Sequence, residues 1–322
     1  MTSYRGTYTA KQKKIRLILT VAILAIVLLV ELAGRIPGIP FNGWSDVYVA
    51  LGLAPSPVTA EGELEVHFID VGNADCILVR QEDKNLLIDA GERGDDDEIL
   101  AYLNSHGVTS LDLVIATHPH ADHIGAMADV IDALPVGKFI MSFMPESETP
   151  TTATYMDMLE VLDRKEIPVE EAAPGAVYEL GTARLQILAP LQSSDDANDI
   201  SVVTRLTFGD RAFVFTGDAG TGVEQQVLAR GFDVSADVLK LGHHGSNTSN
   251  SEAFLRRVSP SYAVITCGEG NSYGHPHQEP IDRLLEMDVP FYRSDVYGHI
   301  VFTTDGERLD LSTEKGGVTY DR

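Results

Sequence analysis

"THPHADHIGAM", residues 117–127, decides how this chain is read. It sets His118, His120, Asp122 and His123 within six residues, directly after the apolar run "LDLVIA". The chain holds only ten histidines in 322 residues, and seven of them fall into three groups: His118/His120/His123, His243/His244 and His275/His277. A lone histidine is ordinarily a satisfied core or surface residue. Three groups, each following a strand-like run and a turn, point instead to metal binding. His118 and His120 are two apart on extended chain, so their rings face the same way. Asp122 and His123 follow where the chain turns. Imidazole nitrogens suit zinc and its neighbours, and a carboxylate adds a harder oxygen ligand. One such turn can feed two adjacent metal positions, an arrangement that clamps the attacking and leaving oxygens of a hydrolysis.

Around this turn, short apolar runs alternate with helical segments from residue 61 onward. "LEVHFIDV", "DCILVRQ", "NLLIDAG", "LDLVIATH" and "KFIMSF" read as strands. "DEILAYLNSHG", "GAMADVIDALP" and "ATYMDMLEVLDRKE" read as helices between or after them. Four strands follow in succession, "AVYELG", "ARLQILAP", "SVVTRLTFGD" and "RAFVFTGD"; then come a helix, "GVEQQVLARG", and a strand, "ADVLKLGHHG". Strands in two groups, each accompanied by helices, predict a layered α/β (α+β) domain over residues 61–322. The polar clusters fall at strand ends, where such folds commonly carry chemistry.

The N-terminus is different in kind. Residues 15–34, "IRLILTVAILAIVLLVELAG", are almost continuously apolar and long enough to span a bilayer as a helix. Lys11, Lys13, Lys14 and Arg16 lie before or at its start, with no acidic residue ahead of it. The expectation is a cytoplasmic basic tail (1–14), an uncleaved transmembrane anchor (15–34), a Pro/Gly-rich linker (35–60) and an extracytoplasmic domain in a bacterial cell membrane. A cleaved signal peptide is the rival reading.

Net charge is −24, unevenly spread: residues 61–322 carry 18 Lys+Arg against 46 Asp+Glu. Such a surface repels nucleic acid and anionic lipid in general. "GDDDE" (residues 94–98) reads as a solvated loop and acidic helix start. The two cysteines, Cys76 and Cys267, read as buried free thiols, and their number and spacing exclude a zinc ribbon or a C-x-x-C redox site.

"THPHADH", with "NLLIDAG" before it and "FVFTGD" after it, resembles the signature of the metallo-β-lactamase fold hydrolases. "HFIDVGNADCILV", "NDISVVTRLTFGDRAFVFTGDAG", "VLKLGHHGSNTSN" and "NSYGHPH" together resemble the extracytoplasmic hydrolase domain of ComEC-type DNA-uptake proteins, over nearly all of residues 63–305. The resemblance implies a four-layer αββα sandwich with one or two divalent ions, Zn²⁺ or Mn²⁺, at one edge. It implies His118 and His120 on a first metal, Asp122 and His123 on a second, Asp218 bridging, and a histidine of "GHHGS" completing the second site, His244 ahead of His243. Asp89 would stand behind the ligand turn and orient a histidine. Typical two-metal members carry one more histidine before the bridging aspartate. This chain has none from residue 124 to 242, and "NDIS" occupies that place, so Asn198, Asp199 or Ser201 would offer an oxygen there.

A divalent metal activates water near neutral pH. Asp122 is the expected proton acceptor, with Lys240, His275 and His277 expected to bind phosphoryl oxygens or protonate the leaving oxygen. "GNAD", with Asp70 and Asp75, reads as strand-end hydrogen bonding. Three functions remain open. One is a membrane-anchored hydrolase of phosphodiesters acting as a nuclease, with single-stranded DNA as substrate. Another is the same chemistry on a cell-wall or nucleotide phosphodiester. The last is a metal-binding accessory protein without turnover.

Overall fold

The computed structural model describes residues 62–142, 144 and 149–316, with Thr20 and Leu28 besides. The expected tail, anchor and linker therefore lie outside the described residues, apart from those two. Among the described residues no helix is long and apolar enough to cross a membrane.

The first half opens with an antiparallel meander, β1 (Leu64–Phe68), β2 (Ile77–Gln81) and β3 (Lys84–Ile88). Parallel additions follow: helix α1 (Asp96–Ser105), β4 (Leu113–Ala116), α2 (Ala121–Ile124), α3 (Met127–Ala133), β5 (Phe139–Met141), α4 (Ala153–Arg164) and β6 (Val169–Glu171). The second half repeats the plan. β7 (Val177–Leu180), β8 (Ala183–Ala189), β9 (Val203–Phe208) and β10 (Arg211–Phe215) form a meander. Then α5 (Thr221–Arg230), β11 (Val238–Lys240), α6 (Glu252–Val258), β12 (Tyr262–Ile265), α7 (Gln278–Glu286) and β13 (Phe291–Arg293) add parallel strands. After α8 (Ser294–Tyr297), the hairpin β14 (Ile300–Thr304) and β15 (Leu309–Thr313) returns to the first sheet beside β1. The sheets run β15-β14-β1-β2-β3-β4-β5-β6 and β13-β12-β11-β10-β9-β8-β7.

The side-chain alternation of the strands explains the layering. Leu86 and Ile88 of β3, and Phe213 and Phe215 of β10, enter one apolar layer shared by both sheets. Leu87 and Val114 point the other way and pack under α1, α3 and α4 with Ile99, Val130 and Met158. Val214 and Leu239 pack under α5, α6 and α7 with Val227, Leu255 and Leu284. The result is the expected αββα order. Central strands buried on both faces read as unbroken apolar runs for this reason. Thr152 and Ser251 cap α4 and α6 by accepting hydrogen bonds from Tyr155 and Phe254 N–H. Cys76 and Cys267 are both free and buried.

All the chemistry-bearing turns leave the C-terminal ends of parallel strands: 117–124 after β4, 216–218 after β10 and 241–246 after β11. This is where open α/β sheets present their crevices. The turn after β3 clamps the first of these. Ala90 N–H donates to His123 O at 2.7 Å, Gly125 N–H to Gly91 O at 2.8 Å, and Ala126 N–H to Ala90 O at 3.1 Å. The approach is so close that a Cβ on Gly125 would lie 2.2 Å from the Glu92 carbonyl carbon and 2.3 Å from the Arg93 nitrogen. Gly125→Ala is therefore expected to lose about 1–3 kcal/mol or more of stability, read by urea unfolding. Gly222→Ala, where nothing lies within 4 Å of the added carbon and the backbone, as at Gly125, is not left-handed, is the control for replacing a glycine without a clash.

Candidate metal centre

Asp89 directly follows β3 with a left-handed φ of 59° and is completely buried. Aspartate tolerates this region better than most residues, and strain of this kind gathers at working sites. Its carboxylate accepts Thr117 N–H at 2.8 Å, Thr117 Oγ1–H at 2.7 Å and His123 Nδ1–H at 2.8 Å. With Nδ1 so engaged, His123 turns Nε2 toward Asp218 Oδ1, 3.3 Å away. His244 is oriented the same way: Nδ1 donates to Thr266 O at 2.8 Å, and Nε2 lies 3.4 Å from Asp122 Oδ2 and 3.8 Å from Asp218 Oδ2. Asp218 is set by its own N–H, which donates to Ser201 Oγ at 3.1 Å. The preceding Gly217 has φ +51°, and a Cβ there would lie 3.0 Å from Thr117 Cβ and 3.2 Å from Ser201 Cβ. Only glycine lets the two turns come together at that point.

Asp122, His123, Asp218 and His244 thus bring one donor atom each to within 4.8 Å of one another. His123 Nε2, Asp218 Oδ1 and His244 Nε2 are buried with no hydrogen-bond partner. Buried polar atoms are normally satisfied, so three orphans aimed at one point mark a place for a cation. Two imidazole nitrogens and two carboxylates fit a divalent transition metal.

Charge agrees with geometry. Burial pushes the Asp122 carboxyl up, but the adjacent His244 and the nearby His123 outweigh it and hold it below the carboxylate range. Asp218 is likewise pushed up by burial and carried well below that range by His123 and His244. Burial pulls His123 down, yet Asp218 and Asp89 raise it well above the usual histidine value. The carboxylates draw positive charge to this point, proton or metal.

The other expected residues sort clearly. His118 is buried, its Nε2 lying 3.0 Å from His120 Nδ1 and 3.9 Å from Asp218 Oδ2, and burial followed by His123 keeps it neutral. His120 is exposed at the rim of the cleft. His243 also has left-handed φ (53°); its Nδ1 meets Thr248 Oγ1 at 3.1 Å and its Nε2 lies 3.6 Å from Asp218 Oδ2. His244, not His243, belongs to the converging group. Ser201 supports Asp218 as described. Asn198 carries a buried, unpartnered Oδ1. Asp199 lies against Gly220 at the start of α5 instead.

His275 lines the cleft, and burial and its neighbour His244 lower it to about 4, so it is neutral at pH 7. His277 does not line it: its Nδ1 accepts Asn247 N–H at 3.0 Å and holds the "GHHGSN" turn.

Lys240 departs furthest from expectation. It is completely buried beneath the site, with Nζ 2.6 Å from Asp75 Oδ2 and donating to Leu241 O at 3.1 Å. It does not line the cleft. A lysine on a strand between two apolar layers has no path to the cleft, and its charge is matched where it lies. Asp75, read from sequence as strand-end bonding, is this buried partner. It also accepts Thr266 Oγ1–H and stands 3.8 Å from His123 Nδ1 and 3.6 Å from His244 Nδ1. A carboxylate between the apolar runs "HFIDV" and "CILV" was the only sequence signal for it. The cleft above has a volume of about 340 Å³, and Asn73 and Tyr273 join the named histidines and aspartates around it. Among the described residues that line it, none is Lys or Arg.

Two expectations follow. Lys240→Met leaves Asp75 charged and unpaired, at about 3–5 kcal/mol in urea unfolding, with much of the loss recovered in Lys240→Met/Asp75→Asn. Asp89→Asn releases His123 Nδ1, and metal affinity measured by chelator competition falls about 10- to 100-fold.

Comparison with known proteins identifies the family and the fold. Residues 69–269 match the Metallo-beta-lactamase superfamily. "ComE operon protein 3" of Bacillus subtilis is 27% identical over 267 residues, covering 76% of this chain and 33% of that protein. "Competence protein ComA" of Neisseria gonorrhoeae is 29% identical over 269 residues, 82% of this chain and 36% of that one. "Recombination protein 2" of Haemophilus influenzae is 29% identical over 253 residues, 77% and 30%. The chain thus spans about a third of the length of these ComEC-type competence relatives. In fold it is similar to the metallo-beta-lactamase fold protein YhfI of Bacillus subtilis, with TM-score 0.52 and 14% identity over 75% of this chain and 100% of that one. It is likewise similar to Igni18, a metallo hydrolase of Ignicoccus hospitalis, with TM-score 0.50 and 17% identity over 74% and 98%. From its motifs, its paired sheets and the donors gathered between their ends, the chain belongs to the metallo-beta-lactamase superfamily.

Proposed function

We propose that this chain is a metal-dependent phosphodiester hydrolase, held at the bacterial cell membrane by residues 15–34, that acts as a nuclease on single-stranded DNA. The observation that carries the hydrolase reading is the convergence of Asp122, His123, Asp218 and His244 with three orphaned buried donors at the floor of an open cleft. The competence relatives support DNA as substrate. A Zn²⁺ or Mn²⁺ ion there would supply Lewis-acid polarisation of the ester and activation of water. The protein's own part is positioning. Asp89 and Thr266 fix the two ligand imidazoles. Asp122, partly exposed at the cleft, is the carboxylate placed to accept a proton from water. Neutral His275 offers its ring to a phosphoryl oxygen from the cleft wall. A cell-wall or nucleotide phosphodiester is a second reading, favoured by the acidic balance and by a cleft lined without Lys or Arg.

The test uses the purified full-length chain, stripped of metal and reloaded with Mn²⁺ or Zn²⁺. Cleavage of single-stranded DNA and of bis(p-nitrophenyl) phosphate is followed beside Asp122→Ala. Both substrates are expected to be cut only with metal, with activity lower by about 100-fold or more in the variant. Small-ester cleavage with DNA intact moves the substrate to the second reading. Bound metal without turnover of either leaves an accessory role.

A further inference from the structure

Tyr273 is the most exposed of the large hydrophobic side chains described, at 68%, yet it sits at the lip of the candidate metal centre. Its ring lies nearly parallel to His275, with centroids 5.6 Å apart and planes inclined by 19°. His275 in turn stacks on His244, at 6.1 Å and 27°. His244 belongs to the converging metal group. Three rings therefore form a column that begins at a buried ligand and ends on an aromatic face open to solvent. An exposed tyrosine ring on a rigid ring stack is poorly accounted for by folding, because burial gains nothing from it. It is well suited to a flat ring laid on top.

We infer that Tyr273 is a stacking platform for a nucleobase, gripping the strand beside the phosphodiester held at the metal centre. The inference rests on the nuclease reading and deepens it. With no Lys or Arg among the described residues lining the cleft and a chain of net charge −24, the described cleft offers no Coulombic track for a polyanion. Base stacking is insensitive to that field and tolerant of sequence. Tyr273 lies within "NSYGHPH", two residues before His275, so the same turn carries the platform and that cleft-lining histidine.

The experiment measures binding by fluorescence anisotropy to the metal-loaded full-length chain. The probes are a nuclease-resistant phosphorothioate oligothymidylate and an abasic chain of the same length and backbone. The wild-type chain is expected to prefer the oligothymidylate. Tyr273→Ala should weaken it by about 5- to 150-fold and leave the abasic chain unaffected, while Tyr273→Phe retains the preference. Equal affinity of the wild type for both polymers, or equal loss in Ala and Phe variants, overturns the platform and leaves the nuclease reading standing. Binding of neither polymer, while bis(p-nitrophenyl) phosphate is still hydrolysed, overturns both. Competition by phosphocholine that disappears in Tyr273→Ala also overturns it, in favour of a cation lying over the ring.

Discussion

Everything at this centre hangs from one buried carboxylate. Asp89 accepts three hydrogen bonds, two from Thr117 and one from His123. Hydrogen bonds to a charged group contribute about 1.5–3 kcal/mol each, and here they also choose a tautomer. If His123 did not donate through Nδ1, its Nε2 would not face Asp218 with a free lone pair. The left-handed backbone at Asp89 and the backbone clamp of Ala90 and Gly91 on the ligand turn serve the same end. The histidines are placed before any ion arrives, so little ordering is left for binding to accomplish.

A second buried charge pair lies beneath that arrangement. Lys240 and Asp75 face each other under the floor of the site, and Asp75 stands behind both His123 and His244. An unpaired carboxylate at that depth would compete with Asp218 for the positive charge of the centre. Matched by Lys240, it leaves the attraction to Asp122 and Asp218. The acidic cleft above is thereby a consequence of which carboxylates are paired and which are left open.

Much of this was legible in the sequence. The doubly apolar central strands, the helices between them and the donors of "THPHADH" follow from periodicity and residue chemistry, while those of "TGD" and "GHHG" were implied by the family resemblance. What was not legible has physical reasons. β6, "VEE", is an edge strand with polar, largely exposed side chains and no alternation to see. Helix α2 has only four residues and is set by the clamp on its backbone rather than by propensity. His243 and His244 are neighbours with the same unusual backbone, and partners elsewhere in the chain distinguish them: His244 Nδ1 donates to the Thr266 carbonyl just after β12, whereas His243 Nδ1 meets Thr248 Oγ1. Lys240 has the chemistry of a phosphate ligand and the position of a core residue; its partner lies in the other sheet's half of the chain. Tyr273 matches no pattern because an exposed ring has no periodic neighbour.

The two halves of the chain share one plan, a meander followed by parallel strands, and each supplies half the donors. Asp122 and His123 come from the first, Asp218 and His244 from the second. Neither half supplies this four-donor set by itself. Capture must then wait until the sheets have docked, late on the folding pathway. Interactions absent from the transition state slow unfolding without hastening folding. A metal at this seam would therefore act as a kinetic clasp, lengthening the lifetime of the folded chain more than it helps the chain to fold.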